Sequence, residues 1–189
     1  WILADEVYGG AERLTDVQTP SFYGRYERVI AIGSMSKAYG LPGLRVGWAV
    51  ADPDLVTQIW TRHEYTTISA TMLSNHLAAL ALQTEVRSKL LERTRGFIRR
   101  GYPVLDRWMD AHPGLLEARA PDAAAIAFCR YEAPVASIEL VEAIRDRERV
   151  LVIPGAHFGV EHHLRISFGL PEAYLSEGLH LRLLLIELH

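Results

Sequence analysis

Apolar positions along the chain follow two periods, and the change from one to the other divides it. Up to Val50 they come in short runs of strand length: Trp1 to Ala4, Arg28 to Ile32 (RVIAI) and Gly47 to Val50 (GWAV). Runs this short, with β-branched content, predict buried strands, because a strand covered on both faces loses the alternation that a half-exposed one keeps. Between the first two, turn formers and charges alternate through Gly9-Gly10 and Pro20. Beyond Val50 a spacing of three and four takes over. Asp52-Pro53-Asp54 predicts a helix start, with proline in the first turn and carboxylates set against the helix dipole, and the helix runs to about His63. The same period covers Leu73 to about Leu82, and then Glu85 to about Met109 through Leu90, Leu91, Phe97, Ile98, Val104, Leu105 and Trp108. Gly101 and Pro103 predict a break or kink inside that long helix.

His112-Pro113-Gly114 punctuates the chain, and a small alternating unit follows. Strands are predicted at Ala123 to Cys129, Val150 to Ile153 and Leu164 to Phe168. Helices are predicted from Ser137, as its cap, to about Arg147, and from Pro171 to Leu188. The expected fold class is α/β: residues 1–85 as part of a larger domain, 86–112 as a linking helix and 113–189 as a small C-terminal domain. Trp1-Ile2-Leu3-Ala4 carries no initiating Met and no basic signal region, so the chain is expected to begin inside a domain.

Composition narrows the class without naming a function. Apolar residues make up 49% and charged residues 23%, the balance of a globular domain and not of a disordered or collagen-like chain. The 20 basic and 23 acidic residues are interspersed and leave a net charge of −3, which argues against a nucleic-acid partner. The run from Leu183 to Ile186 with its neighbours is far short of the roughly 20 apolar residues that cross a bilayer, so no membrane partner is expected. Cys129 is the single cysteine. No intrachain disulfide can form, and the cytoplasm is the compartment that fits best.

The chemistry concentrates in Ser34-Met35-Ser36-Lys37-Ala38-Tyr39-Gly40-Leu41-Pro42-Gly43-Leu44-Arg45-Val46-Gly47. A lysine directly after a buried strand is costly in an apolar setting unless it is paired, neutralised or used covalently. Desolvation or a nearby cation would free the Lys37 amine to form a Schiff base with a carbonyl. Ser34 and Ser36 offer hydroxyls beside it, and Arg45 offers an always-charged fork suited to phosphate. Gly40, Gly43 and Gly47 allow tight bends and close approach. Asp5-Glu6-Val7-Tyr8 follows the first strand, and Leu164-Arg165-Ile166-Ser167-Phe168-Gly169 places an arginine between apolar residues near the C-terminus, its charge expected to face a cavity. His157, Glu161, His162 and His163 match no zinc spacing, so no metal site is expected.

These three segments, in this order, resemble the signatures of class I/II aminotransferases, enzymes of pyridoxal 5'-phosphate (PLP). The resemblance covers essentially the whole chain but about half of a complete enzyme. It implies the C-terminal part of a large PLP-binding domain with a mainly parallel sheet, followed by the small domain. It gives Lys37 the role of cofactor anchor and proton carrier, Asp5 that of partner to the pyridinium nitrogen, and Tyr8 that of partner to the phenolic oxygen. Ser34, Ser36 and Arg45 become phosphate ligands, and Arg165 binds the substrate α-carboxylate. Amino acid and 2-oxo acid are the implied substrates. A homodimer is implied too, with the segment Tyr65 to Ser69 crossing to the neighbour's cofactor phosphate.

Other elements of the family pattern lie before the position matching Trp1: the phosphate-binding loop, the aromatic residue that stacks on the ring and an asparagine of the N-P-x-N-P-T-G type. The chain alone is therefore expected to be a poor or inactive catalyst. Two further readings stay open. The same scaffold supports PLP-dependent lyases and cyclases, such as proteins like capreomycidine synthase, and it also supports non-catalytic aminotransferase-like binding or dimerisation modules.

Overall fold

The strand rich in β-branched residues, β2 (Val29–Ser34), is the centre of the first sheet. It pairs in parallel with β1 (Ile2–Asp5), in the register Ile2↔Val29 to Asp5↔Ile32. On its other side β3 (Gly47–Val50) runs antiparallel, with Ser34 opposite Gly47. The structure, a computed structural model, describes residues 1–186 and side chains as far as residue 180. The chain divides into two units, Trp1–Arg95 and the residues from Gly96 onward. The three strands sit where the sequence predicts them, but the expectation that all three are buried is corrected. Only β2 buries one face, through Val29, Ala31 and Gly33, whereas β1 buries Ala4 alone and every residue of β3 is exposed.

In the first unit, α1 (Pro53–His63) begins as expected: the Asp52 side chain accepts from the Asp54 N–H at 2.9 Å. It is followed by α2 (Met72–Ala81) and the first half of α3 (Thr84–Ala111). One ion pair is buried here. Arg95 Nη2 donates to Glu12 Oε2 at 2.7 Å, with only 8% and 4% of the two residues exposed. The second carboxylate oxygen, Glu12 Oε1, accepts from the N–H of Gly10 at 3.0 Å and of Thr19 at 2.8 Å. Burial pushes the Glu12 carboxyl up, and the Arg95 guanidinium with the two backbone N–H groups outweighs that effect and holds it at about 2.

In the second unit β6 (His163–Ser167) is central, flanked antiparallel by β4 (Ile126–Arg130) and by the short β5 (Ile153–Pro154). Helices α4 (Ser137–Glu148) and α5 (Glu172–Ile186) accompany this sheet. Leu140, Ile144, Leu164, Ile166, Phe168 and Leu179 are its buried core. The extension of the last helix to Leu188 lies outside the described residues.

Three expectations are corrected in this half. The long helix does not break: α3 is continuous through Gly101 and Pro103. Pro103 has no N–H to donate, yet Ile98, Tyr102, Val104, Leu105 and Trp108 bury the helix around it, and burial outweighs one missing bond. Gly101 is required by close approach, since a Cβ there would collide with the backbone carbonyl of Phe168. Ser137 is not the helix cap. Ala136 takes that position without a side-chain bond, and the fully buried Ser137 hydroxyl accepts instead from the Ala156 N–H at 3.1 Å, while the Ser137 N–H donates to Glu161 at 3.0 Å. The strand predicted at Val150 to Ile153 is shorter, because β5 meets β6 only at Ile153↔Arg165 and Pro154↔Leu164.

Gly101→Ala gains about 1 kcal/mol of helix propensity and forces an overpacking penalty of about 1–3 kcal/mol or more. The obstacle is backbone, so the penalty wins and the urea midpoint falls. Glu12 predicts an acid dependence. Its folded pKa of about 2 lies below the ordinary 4.5, so its contribution is present above that ordinary value and is lost as pH falls toward 2. Urea unfolding between pH 5 and pH 2 should show the parent losing stability faster than Glu12→Gln, so that the gap between them narrows with acid.

Candidate active site

The parallel register of β1 and β2 brings their carboxyl ends to one edge of the sheet. The Glu6 N–H donates to the Ile32 carbonyl at 2.8 Å, which carries the pairing one residue past Asp5. Antiparallel β3 enters from that same edge: the Met35 N–H donates to the Val46 carbonyl at 3.0 Å, beside the Ser34↔Gly47 pair. Three sequence segments, 5–8, 34–40 and 42–47, therefore meet where strand carbonyls end, the usual place for a ligand in a parallel sheet. The Ala38 N–H, at 3.4 Å from the Val7 carbonyl, ties the first segment to the second.

Lys37 sits in the turn after β2, closed by the Gly40 N–H donating to the Lys37 carbonyl and the Leu41 N–H to the Met35 carbonyl, both at 2.9 Å. Its neighbours Met35, Ala38 and Tyr39 take the buried positions, and Lys37 is exposed. The sequence expectation of an apolar, desolvated lysine is thus corrected within this chain, for the turn buries the residues on either side of the amine and presents Lys37 at the edge.

Ser34, Ser36 and Arg45 form one polar group. Ser34 Oγ accepts from the Ser36 N–H at 3.0 Å, and Arg45 Nη1 donates to the Pro42 carbonyl at 2.9 Å with Ser36 Oγ at 3.4 Å. Arg45 adopts a left-handed backbone, φ 54°, that non-glycine residues seldom take and that recurs at ligand sites. Asp5 is exposed at the end of β1, its Oδ1 accepting from the Val7 N–H at 3.3 Å, and Tyr8 is half-buried. Lys37, Asp5, Tyr8, Ser34, Ser36 and Arg45 are all brought to the one edge.

Arg165 belongs to the second unit. It is half-buried on β6, between Phe128 and Ile153, and lines a cavity of about 610 Å³ with Ile153, Ser167, Arg149, Glu148 and Tyr174. The histidine-rich segment is taken up by packing: His163 stacks on Phe128 with ring centres 4.8 Å apart, and His162 meets Tyr131 at 5.4 Å. His157 is exposed in the turn Gly155–Phe158.

Several residues around the first-unit edge escape sequence reading. Glu6 Oε1 accepts from the Phe22 N–H at 2.8 Å and the Ser21 hydroxyl at 3.0 Å, fastening the loop beyond Tyr8. Arg87 and Arg93 of α3 reach Tyr39 in the second motif segment, and Arg95 reaches Glu12, four residues past Tyr8. Their only sequence signal is a cluster of arginines on one helix, which reads equally as a solvated face.

The sequence matches the family model described as aminotransferase class I and II over residues 1–180. Capreomycidine synthase of Streptomyces vinaceus is 37% identical over 155 residues, 81% of this chain and 39% of that protein. Histidinol-phosphate aminotransferase 2 of Haemophilus influenzae is 32% identical over 90% of this chain and 44% of its own length. A PLP-dependent aminotransferase structure from Streptococcus suis superposes with a TM-score of 0.90 at 27% identity, covering 99% of this chain and 48% of that one. The chain thus spans less than half the length of each of these relatives. With a match over 180 of its 189 residues, it belongs to the class I and II aminotransferase family.

Proposed function

We propose that this chain carries the cofactor-anchoring part of a PLP-dependent aminotransferase acting on an amino acid and a 2-oxo acid. The observation that supports this reading best is the meeting of Lys37, Asp5 and the Ser36–Arg45 pair at one strand edge. PLP is the cofactor of the family, and the donor set fits it: two hydroxyls and a guanidinium suit a phosphate, a primary amine suits an aldehyde, and a carboxylate suits a ring nitrogen that must stay protonated.

When bound, the cofactor supplies an electron sink for the charge left on Cα. The chain's own residues do the rest. Lys37 would hold the aldehyde of the cofactor through its amine, and the same amine, when free, would carry the proton to and from the substrate Cα. Asp5 would sit against the ring nitrogen and keep it charged, Tyr8 would donate to the ring oxygen, and Ser34, Ser36 and Arg45 would hold the phosphate. Arg165 would bind the α-carboxylate, for which its planar guanidinium is suited. A homodimer fits the exposed apolar side chains of Trp60, Tyr65, Ile68, Met72 and Leu73 on and after α1, and a single cysteine fits the cytoplasm.

The relation to capreomycidine synthase favours a second reading, a cyclase or lyase on the same scaffold. Consumption of a 2-oxo acid in step with amino transfer supports the first reading. Turnover of an amino acid with no 2-oxo acid consumed supports the second.

Lys37 and Lys89 are the two lysines of the sequence, which makes the anchoring test internally controlled. The native gene product carrying this sequence, treated with PLP and borohydride and mapped by mass spectrometry, is expected to be labelled at Lys37 and not at Lys89. Labelling at Lys89 alone would sink the assignment. Arg165→Lys, which keeps the charge and loses the fork, is expected to raise KM for the amino acid roughly 10- to 100-fold with kcat less affected.

A further inference from the structure

Both segments that carry the proposed chemistry are fastened by the first half of α3. Arg93 Nη2 donates to the Tyr39 carbonyl at 2.9 Å and lies 3.5 Å from the Gly40 carbonyl, two and three residues after Lys37. Arg87 Nε donates to the Tyr39 hydroxyl at 3.2 Å. Gly40 is left-handed, φ 64°, and a Cβ there would stand 2.6 Å from Arg93 Nη2, so the guanidinium occupies the side-chain space of the turn. Two residues farther along the helix, Arg95 holds Glu12, whose other oxygen gathers the N–H groups of Gly10 and Thr19. The Ala11 N–H, donating to the Tyr8 carbonyl at 2.9 Å, carries that restraint back to the turn of Tyr8.

Stability alone accounts poorly for this arrangement. A buried ion pair gains little over an apolar pair of the same volume. Arg95 Nε is moreover buried with no hydrogen-bond partner among the described residues. What the arrangement does supply is direction: two guanidinium groups, each through its Nη2, fix two loops against one helix.

We propose that Arg93 and the Glu12–Arg95 pair are positioning residues. Arg93 sets the turn that presents Lys37, and Glu12–Arg95 sets the turn that presents Tyr8, so that α3 determines the spacing between the anchoring amine and the ring-oxygen donor. The proposal rests on the functional reading given above, and it makes no contact between these residues and the cofactor.

The test compares the native gene product with Arg93→Met, Arg93→Lys and the double variant Glu12→Leu/Arg95→Met, which replaces the ion pair with apolar groups of similar size. Thermal unfolding and amide hydrogen exchange are followed without cofactor, and the rate of borohydride-trapped PLP labelling at Lys37 is followed with it. Expected are an unfolding temperature close to the parent's for Arg93→Met and a lower one for the double variant, which leaves the N–H groups of Gly10 and Thr19 without their acceptor. Exchange should be faster at residues 38–41 for Arg93→Met and at 9–11 for the double variant, and labelling roughly tenfold slower in both under conditions where they stay folded. Arg93→Lys should recover part of the loss. Parent-like exchange and labelling in folded variants would overturn the proposal, as would a loss that only tracks global unfolding. A parent that takes no label at Lys37 defeats the functional reading, and the exchange arm still decides whether α3 orders the two turns.

Discussion

The parallel register between β1 and β2 is the constraint on which the rest depends. A parallel pair has both carboxyl ends on the same side, so two segments separated by some thirty residues leave the sheet together. Had β1 run the other way, Asp5 would stand at the far end of β2 from Lys37. The antiparallel β3 completes the arrangement, since a strand that returns must enter where its neighbour left, and its entry segment carries Arg45. Anion, amine and guanidinium thus follow from strand direction before any side chain is placed.

Strand direction alone does not hold an amine at a useful height. The turn of Lys37 closes on its own backbone and seats Met35, Ala38 and Tyr39 below it, and those buried side chains decide which residue is left outward. The turn of Tyr8 has fewer apolar anchors, with Ala11 its nearest buried one, and leans on Glu6 and Glu12 instead. The two motif loops are ordered by different physics, one by burial and the other by carboxylates that collect backbone N–H groups. The second is the more exposed to acid, because the hold of Glu12 is lost as its carboxylate is protonated.

Much of the architecture was legible in the sequence because local signals agreed with it. The RVIAI and GWAV runs, the Asp52-Pro53-Asp54 start and the three-and-four spacing of α2 and α3 each became the element expected. The misreadings occurred where a tertiary partner overrode a local rule. Pro103 is tolerated because the helix around it is buried, Ser137 leaves its cap role because Ala156 needs an acceptor, and β5 is cut short where pairing with β6 stops. The motif residues were legible as types, and their burial was not. Whether Lys37 or Met35 points inward depends on the turn that follows the strand, and letter order cannot say. The α3 arginines were illegible for a similar reason, since a guanidinium bound to a carbonyl 54 positions away looks in sequence like any solvated charge.

The division of labour among the basic residues follows from their chemistry. Of the 20 basic side chains all but Lys37 and Lys89 are arginine. Arginine stays charged under all ordinary conditions and binds through a rigid fork, which suits a residue that must fix a loop, grip a carboxylate or cradle a phosphate. For the same reason it cannot lose a proton to become a nucleophile. A lysine amine can, and it has the single flexible nitrogen that bonding to a carbonyl carbon requires. Lys89 stands exposed on α3, whereas Lys37 stands in the turn where the three segments meet. An arginine at 37 could bind an anion in that turn, but it could not form and release a covalent bond, so the proposed function turns on the one lysine at the strand edge.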